Sequence, residues 1–105
     1  DMQGGLQVLN KSGDWIEAPP IEGSFVCNIG DLLEHWTNGS VISTKHRVIN
    51  RNKTARYSIP VFCDPASETI VDPKDFSNGP ILYEKITAGE HIAYRNHRNF
   101  TQYMK

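Results

Sequence analysis

The chain has 105 residues, 38% of them hydrophobic and 22% charged, a balance that suits one globular domain with a modest core. Eleven basic and twelve acidic residues leave a net charge of -1 with the signs interspersed, so the clustered basic excess of a nucleic-acid binder is absent. No apolar run approaches the length of a membrane span and no signal peptide opens the sequence, so a cytoplasmic protein with neither nucleic-acid nor membrane partners is expected.

Asp1 has no initiator Met before it, and Gly4-Gly5 leads straight into an apolar run. This start reads as a cut through a longer chain. Leu6 to Leu9 alternates apolar and polar residues and predicts a short strand. Asn10 to Asp14, with Gly13, predicts a polar turn. Trp15 to Ala18 predicts a second strand, stopped by Pro19-Pro20 because proline cannot donate to a ladder. Ser24 to Ile29 is β-branched and aromatic and predicts a third strand. Gly30-Asp31 offers a break and a cap for a short helix over Leu32 to Trp36. Asn38-Gly39 is a tight-turn pair. Val41 to Asn50 and Ala55 to Cys63 predict two longer strands joined by a charged turn at Arg51 to Thr54, with Pro60 requiring an edge or a bulge. Asp64, Asp72 and Asp75 beside or near prolines read as turn chemistry around a short strand, Thr69 to Val71. Thr87 and Glu90 form a capping-box pattern. Ile92, Phe100 and Tyr103 then fall on one helical face. The two cysteines, Cys27 and Cys63, sit in strand-like runs and are expected to be reduced and buried. Trp15 and Trp36 read as core or turn-packing residues. His35, His91 and His97, and the arginines Arg95 and Arg98, read as solvated. Strands at near-regular spacing with polar turns predict a mainly β fold.

One group carries candidate chemistry. His46 precedes Arg56 and Ser58 by about a hairpin's length. Alternation along a strand points Arg56 and Ser58 the same way, with Phe62 following on that face. A hairpin turning at Arg51 to Thr54 would bring His46 beside them. An inward arginine needs a charge partner, and a ligand carboxylate would match its planar fork while serine adds a donor. A neutral imidazole is a good ligand for Fe(II). By residue pattern alone, a lone His beside Arg and Ser is more often an ordinary surface feature.

The ordered motifs change that weighting. They are Gly4-Gly5-Leu6-Gln7-Val8, Trp15, Pro19-Pro20, Asn28-Ile29-Gly30-Asp31, Trp36-Thr37-Asn38-Gly39, Ser43-Thr44-Lys45-His46-Arg47-Val48, Arg56-Tyr57-Ser58-Ile59-Pro60, Asp64-Pro65 and Thr87-Ala88-Gly89-Glu90. In this order they resemble the C-terminal domain of the isopenicillin N synthase-like branch of the Fe(II)/2-oxoglutarate oxygenases, across nearly the whole chain.

The resemblance implies a double-stranded β-helix, or jelly roll, of which residues 1–105 would be the C-terminal part with its terminal helix. It assigns His46 as the distal iron ligand, and Arg56 and Ser58 as the grip on the far carboxylate of 2-oxoglutarate. It places the family's His-x-Asp iron pair on a strand upstream of Gly4, outside this sequence. The implied activity couples decarboxylation of 2-oxoglutarate to oxidation of a small organic substrate. The cofactors are Fe(II) and 2-oxoglutarate as cosubstrate, with ascorbate as a further candidate. Two alternatives stay open: a non-catalytic jelly-roll segment that binds or assembles, and a relative that dispenses with 2-oxoglutarate. A jelly roll without its upstream strands would expose ladder edges, so self-association through those edges is expected. Substrate identity is not encoded in these residues.

Overall fold

A computed structural model of the chain describes residues 1–100. Tyr103, expected on the apolar face of the last helix, lies outside the described residues. The chain gathers into two compact units, 1–29 with 43–61, and 30–42 with 62–105.

The first unit is built on a three-stranded antiparallel sheet. Strands β1 (Leu6–Leu9), β2 (Trp15–Glu17) and β3 (His46–Val48) lie in the order β2-β1-β3. The β1–β2 turn forms as its sequence predicts. Asn10 Oδ1 accepts from the amides of Ser12 at 2.9 Å and Asp14 at 2.8 Å, and Gly13 takes a left-handed φ of 89°. The opposite edge of β1 closes on β3 through Leu9 N–H to Lys45 O at 2.9 Å and Ile49 N–H to Gly5 O at 2.8 Å.

Gly5 cannot be another residue here. Its φ is +95°, and a Cβ would stand 2.6 Å from the carbonyl oxygen of Ile49. Gly5→Ala is therefore expected to cost about 2 kcal/mol or more, from backbone strain and the forced separation of β1 and β3. A fall in the urea midpoint with an unchanged denaturant slope checks this.

The second unit holds helix α1 (Asp31–Trp36), a two-stranded sheet of β4 (Ile70–Val71) and β5 (Ile86–Thr87), a 3₁₀ turn over Pro73–Asp75, and helix α2 (Ala88–Phe100). Its apolar centre is Val71, Pro73 and Ala88, all fully buried. Asn38 is the polar hub. At φ 53° it donates to Pro80 O at 2.9 Å and Ser77 Oγ at 3.2 Å, and accepts from Leu82 N at 2.7 Å. The turn pair Asn38-Gly39 thus ends α1 and also secures the 77–82 segment. Asn38→Ala leaves a carbonyl and an amide without partners and is expected to lower stability by about 2–3 kcal/mol, read from chemical denaturation.

The capping box at α2 is complete. Glu90 Oε2 accepts from Thr87 N–H at 2.9 Å and Thr87 Oγ at 2.8 Å, while Glu90 N–H reaches Thr87 Oγ at 3.2 Å. The Thr87 backbone amide, then its hydroxyl, hold the Glu90 carboxyl below the usual glutamate range. A depressed carboxylate contributes stability above its unfolded pKa and loses it as pH falls through the folded value. The helical circular-dichroism signal is therefore expected to decline on the acid side of the ordinary glutamate range. Thr87→Ala is expected to remove about 1 kcal/mol at neutral pH and flatten that acid transition.

Several expectations need correction. Ser24 to Ile29 and Ala55 to Cys63 form no strands, and Val41 to Asn50 keeps only His46–Val48. Outside His46–Val48 these segments join no ladder among the described residues, and propensity without cross-strand pairing does not make a strand. Phe25 is 93% exposed and Ile59 91%. Cys27 and Cys63, expected buried, are free and exposed for the same reason. Among the described residues the five strands are short, and the two α-helices hold more residues than the strands together. Among the described residues no helix is long and apolar enough to cross a membrane.

Candidate active site

The sheet of the first unit sorts its residues onto two faces. Residues directly opposite in an antiparallel ladder point the same way. Val8 pairs with both Ile16 and His46, and Leu6 pairs with Val48. His46 therefore stands on a face of aliphatic side chains. The other face carries Gln7, which pairs with both Glu17 and Arg47, and Leu9 with Trp15.

His46 is exposed, and its Nδ1 lies 2.9 Å from the carbonyl oxygen of Thr44. A carbonyl only accepts, so Nδ1 carries the proton and donates. In the neutral ring Nε2 is then the nitrogen that carries the lone pair, the one through which this histidine could bind a metal. The chemistry of this one donor fits Fe(II). Among the described residues no three His, Cys, Asp or Glu side chains gather in a metal-binding group, so His46 stands without a co-ligand there.

Arg56 reaches Gly4, just before β1. Its Nε donates to Gly4 O at 2.6 Å, and a Cβ on Gly5 would meet both Ile49 O and Arg56 Nε. The residues that position Arg56 come from the start of the chain. Gln3 Nε2 donates to Ala55 O at 2.6 Å, and Asp1 Oδ2 accepts from Tyr57 N at 2.6 Å. The segment 54–57 thus runs beside residues 1–4. The expected hairpin between Ala55 to Cys63 and the His46 strand does not form: the start of that segment is held along residues 1–4, and no ladder joins it to β3 among the described residues. His46 and Arg56 are instead tied to one stretch of chain, His46 across Val8 and Arg56 at Gly4. With Nε engaged, the outer edge of the Arg56 guanidinium still presents two parallel N–H donors, the geometry a carboxylate accepts bidentately. Ser58 follows two residues later and is exposed. Phe62, expected on the same face, is exposed and falls in the second unit. A groove of about 430 Å³ in the second unit, bordered by Asp72, Lys74, Tyr83 and Lys85, contains none of the three candidate residues.

Two histidines of the second unit, His35 and His91, are not simply solvated. His35 stacks on Tyr83 at 4.9 Å and meets His91 edge-on at 5.7 Å. Burial, then the neighbouring His35, push the His91 imidazole below its ordinary value. Arg95, expected on a solvated face, pairs with Asp31 of α1. Asp72 accepts from Lys74 N at 3.0 Å, as its turn role predicts, whereas Asp75 takes the indole N–H of Trp36 at 2.9 Å.

Residues 1–65 match the family model described as the 2OG-Fe(II) oxygenase superfamily. The chain belongs to that superfamily. Among its 2OG-Fe(II) oxygenase relatives, a homoarginine-6-hydroxylase from Oryza sativa subsp. japonica is 42% identical over 99 residues, covering 90% of this chain and 30% of its own length. Feruloyl CoA ortho-hydroxylase 1 from Arabidopsis thaliana is 39% identical over 97 residues, covering 91% of this chain and 25% of its own. Among solved structures, a full-length Neurospora crassa protein in complex with alpha-KG and thymine superposes with a TM-score of 0.83 at 36% identity, covering 94% of this chain and 32% of that one. The chain thus spans about a third or less of the relatives it matches.

Proposed function

We propose that the protein carrying this sequence is an Fe(II)/2-oxoglutarate-dependent oxygenase acting on a small organic substrate. His46 supplies one iron ligand, and Arg56 with Ser58 holds the distal carboxylate of 2-oxoglutarate. The observation that carries this reading is the His46 ring: Nδ1–H is satisfied by Thr44 O, and Nε2 is left to a metal.

Bound iron would supply an open coordination site for 2-oxoglutarate and dioxygen and the oxidising power for the substrate. This chain's residues do the holding. His46 presents one fixed lone pair. Arg56, anchored at Gly4, presents a fork of donors at a set distance from it. Ser58 adds one hydroxyl donor. Val8, Ile16 and Leu6 line the face of His46 and would keep water from it once covered.

The jelly roll is part of the same proposal. The exposed apolar segments 24–29 and 55–62 would be strands of that barrel, with their partner strands and the remaining iron ligands outside these residues. Left uncovered, such edges favour association between chains. Relatives named for homoarginine and feruloyl CoA, and a solved relative in complex with thymine, support a small-molecule substrate without choosing one.

The test is succinate release from 2-oxoglutarate with Fe(II) and a panel of small substrates, using the protein that carries this sequence. Coupled succinate and oxidised product are expected. Metal binding through His46 with no succinate under any substrate would instead favour the non-catalytic binding segment.

A further inference from the structure

Gln7 is 4% exposed, a polar side chain sealed into the face of the sheet opposite His46. Both ends of its amide are used, one on each neighbouring strand. Gln7 Nε2 donates to Glu17 Oε1 on β2 at 2.7 Å, and Gln7 Oε1 accepts from Arg47 Nε on β3 at 2.8 Å. The orientation of the amide is forced, because an arginine only donates and a carboxylate only accepts. Arg47 is also capped by Trp15 of β2, its guanidinium carbon 4.1 Å from the ring centroid. Glu17 also pairs with the Arg51 cation at 3.6 Å.

This ladder bears on His46. Strand β3 is three residues long, exposed, and at the edge of its sheet. Three residues carry few ladder bonds. A one-residue slip would carry His46 from one face to the other. Arg47 is the residue next to His46 and points to the opposite face. Holding Arg47 between Gln7 and Trp15 therefore fixes which way His46 points.

We propose that Gln7 is a positioning residue for the iron ligand, a buried amide that locks Arg47 and so aims His46. The inference rests on His46 being an iron ligand. It adds a requirement that His46 alone does not contain: metal affinity should depend on a side chain on the far side of the sheet.

The experiment titrates Co(II), an air-stable stand-in for Fe(II), by its ligand-field absorption in the whole protein that carries this sequence. Native protein is compared with His46→Ala, Gln7→Leu, Gln7→Glu, and Gln7→Glu combined with Glu17→Gln. Gln7→Leu removes both bonds at similar volume. Gln7→Glu sets two carboxylates against each other. The combined exchange restores the pattern, since the new glutamate accepts from Arg47 and the new glutamine donates back.

Each single Gln7 variant is expected to raise the Co(II) Kd by about tenfold or more, the range set by supporting-shell losses at metal sites. The combined exchange should return the Kd to near the native value. The KM for 2-oxoglutarate at saturating metal should stay unchanged in all three, because Arg56 is anchored at Gly4 and not on β3. Arg47→Lys, which keeps the charge but loses Nε and the flat cap over Trp15, should weaken Co(II) as well if the Gln7 variants do not fold. Native Co(II) affinity in both single Gln7 variants overturns the proposal, as does failure of the exchange to repair the loss. A parallel rise in the 2-oxoglutarate KM also overturns it, since that marks general loosening. If His46→Ala binds Co(II) as the native protein does, the ligand assignment itself is wrong, a result separable from any outcome at Gln7.

Discussion

Replacing His46 with alanine is expected to cut succinate release by at least about 100-fold. Losing a hydrogen-bonded partner of a metal ligand already costs about 10- to 100-fold in affinity or activity, and removing the ligand itself must cost at least the upper figure. The defect should be one of metal affinity first. The Kd for Fe(II) or Co(II) should rise before any change in 2-oxoglutarate binding at saturating metal. Folding should be intact, because His46 is exposed and contributes only its bond to Thr44 O within the described residues. Lys11→Ala, in the exposed β1–β2 turn, serves as a control and should leave turnover within about twofold. Wild-type turnover by His46→Ala would remove the iron-ligand assignment.

The second large effect belongs to Arg56. A charge-assisted hydrogen bond is worth about 1.5–3 kcal/mol. Each bond lost from the distal carboxylate should therefore raise the 2-oxoglutarate KM by about 10- to 150-fold. Arg56→Ala removes a bidentate pair and should show the larger end of that range. Arg56→Lys keeps the charge but not the fork, and should fall between. Ser58→Ala removes one neutral donor and should be milder than either. The decisive comparison uses a 2-oxo acid without a distal carboxylate, such as 2-oxobutyrate. Native protein should strongly prefer 2-oxoglutarate over it, and Arg56→Ala should lose most of that preference. If the preference survives Arg56→Ala, the diacid is held elsewhere. Metal affinity without cosubstrate should not change, which separates this defect from that of His46→Ala.

How much of this was legible in the sequence varies by element, for a physical reason. The β1–β2 hairpin was legible because its turn chemistry, Asn10 and Gly13, is local and its strands flank the turn directly. The α2 start was legible because Thr87 and Glu90 are three residues apart and complete each other. The strands at Ser24 to Ile29 and Ala55 to Cys63 were overread, because β propensity reports a side chain's fitness for a sheet and not the presence of a neighbouring strand. The ladder of Gln7, Glu17 and Arg47 was missed. Counting outward from the Asn10 to Asp14 turn would have set Gln7 opposite Glu17. No local signal joins Gln7 to Arg47, forty residues on.

By itself the sequence determined the superfamily, through motifs in a fixed order, and it supplied the residue types on which the proposed site rests: the His46 imidazole, the Arg56 guanidinium and the Ser58 hydroxyl. The superfamily follows from motif order along the chain, and the roles proposed for the three residues follow from that resemblance. Tertiary structure alone decided how the residues are held. It placed β3 beside β1, anchored Arg56 at Gly4, and spread a buried amide across three strands behind His46. The reason is that such pairings join residues far apart in sequence, and which partner wins depends on competition for ladder edges and on close approaches such as Gly5 against Ile49.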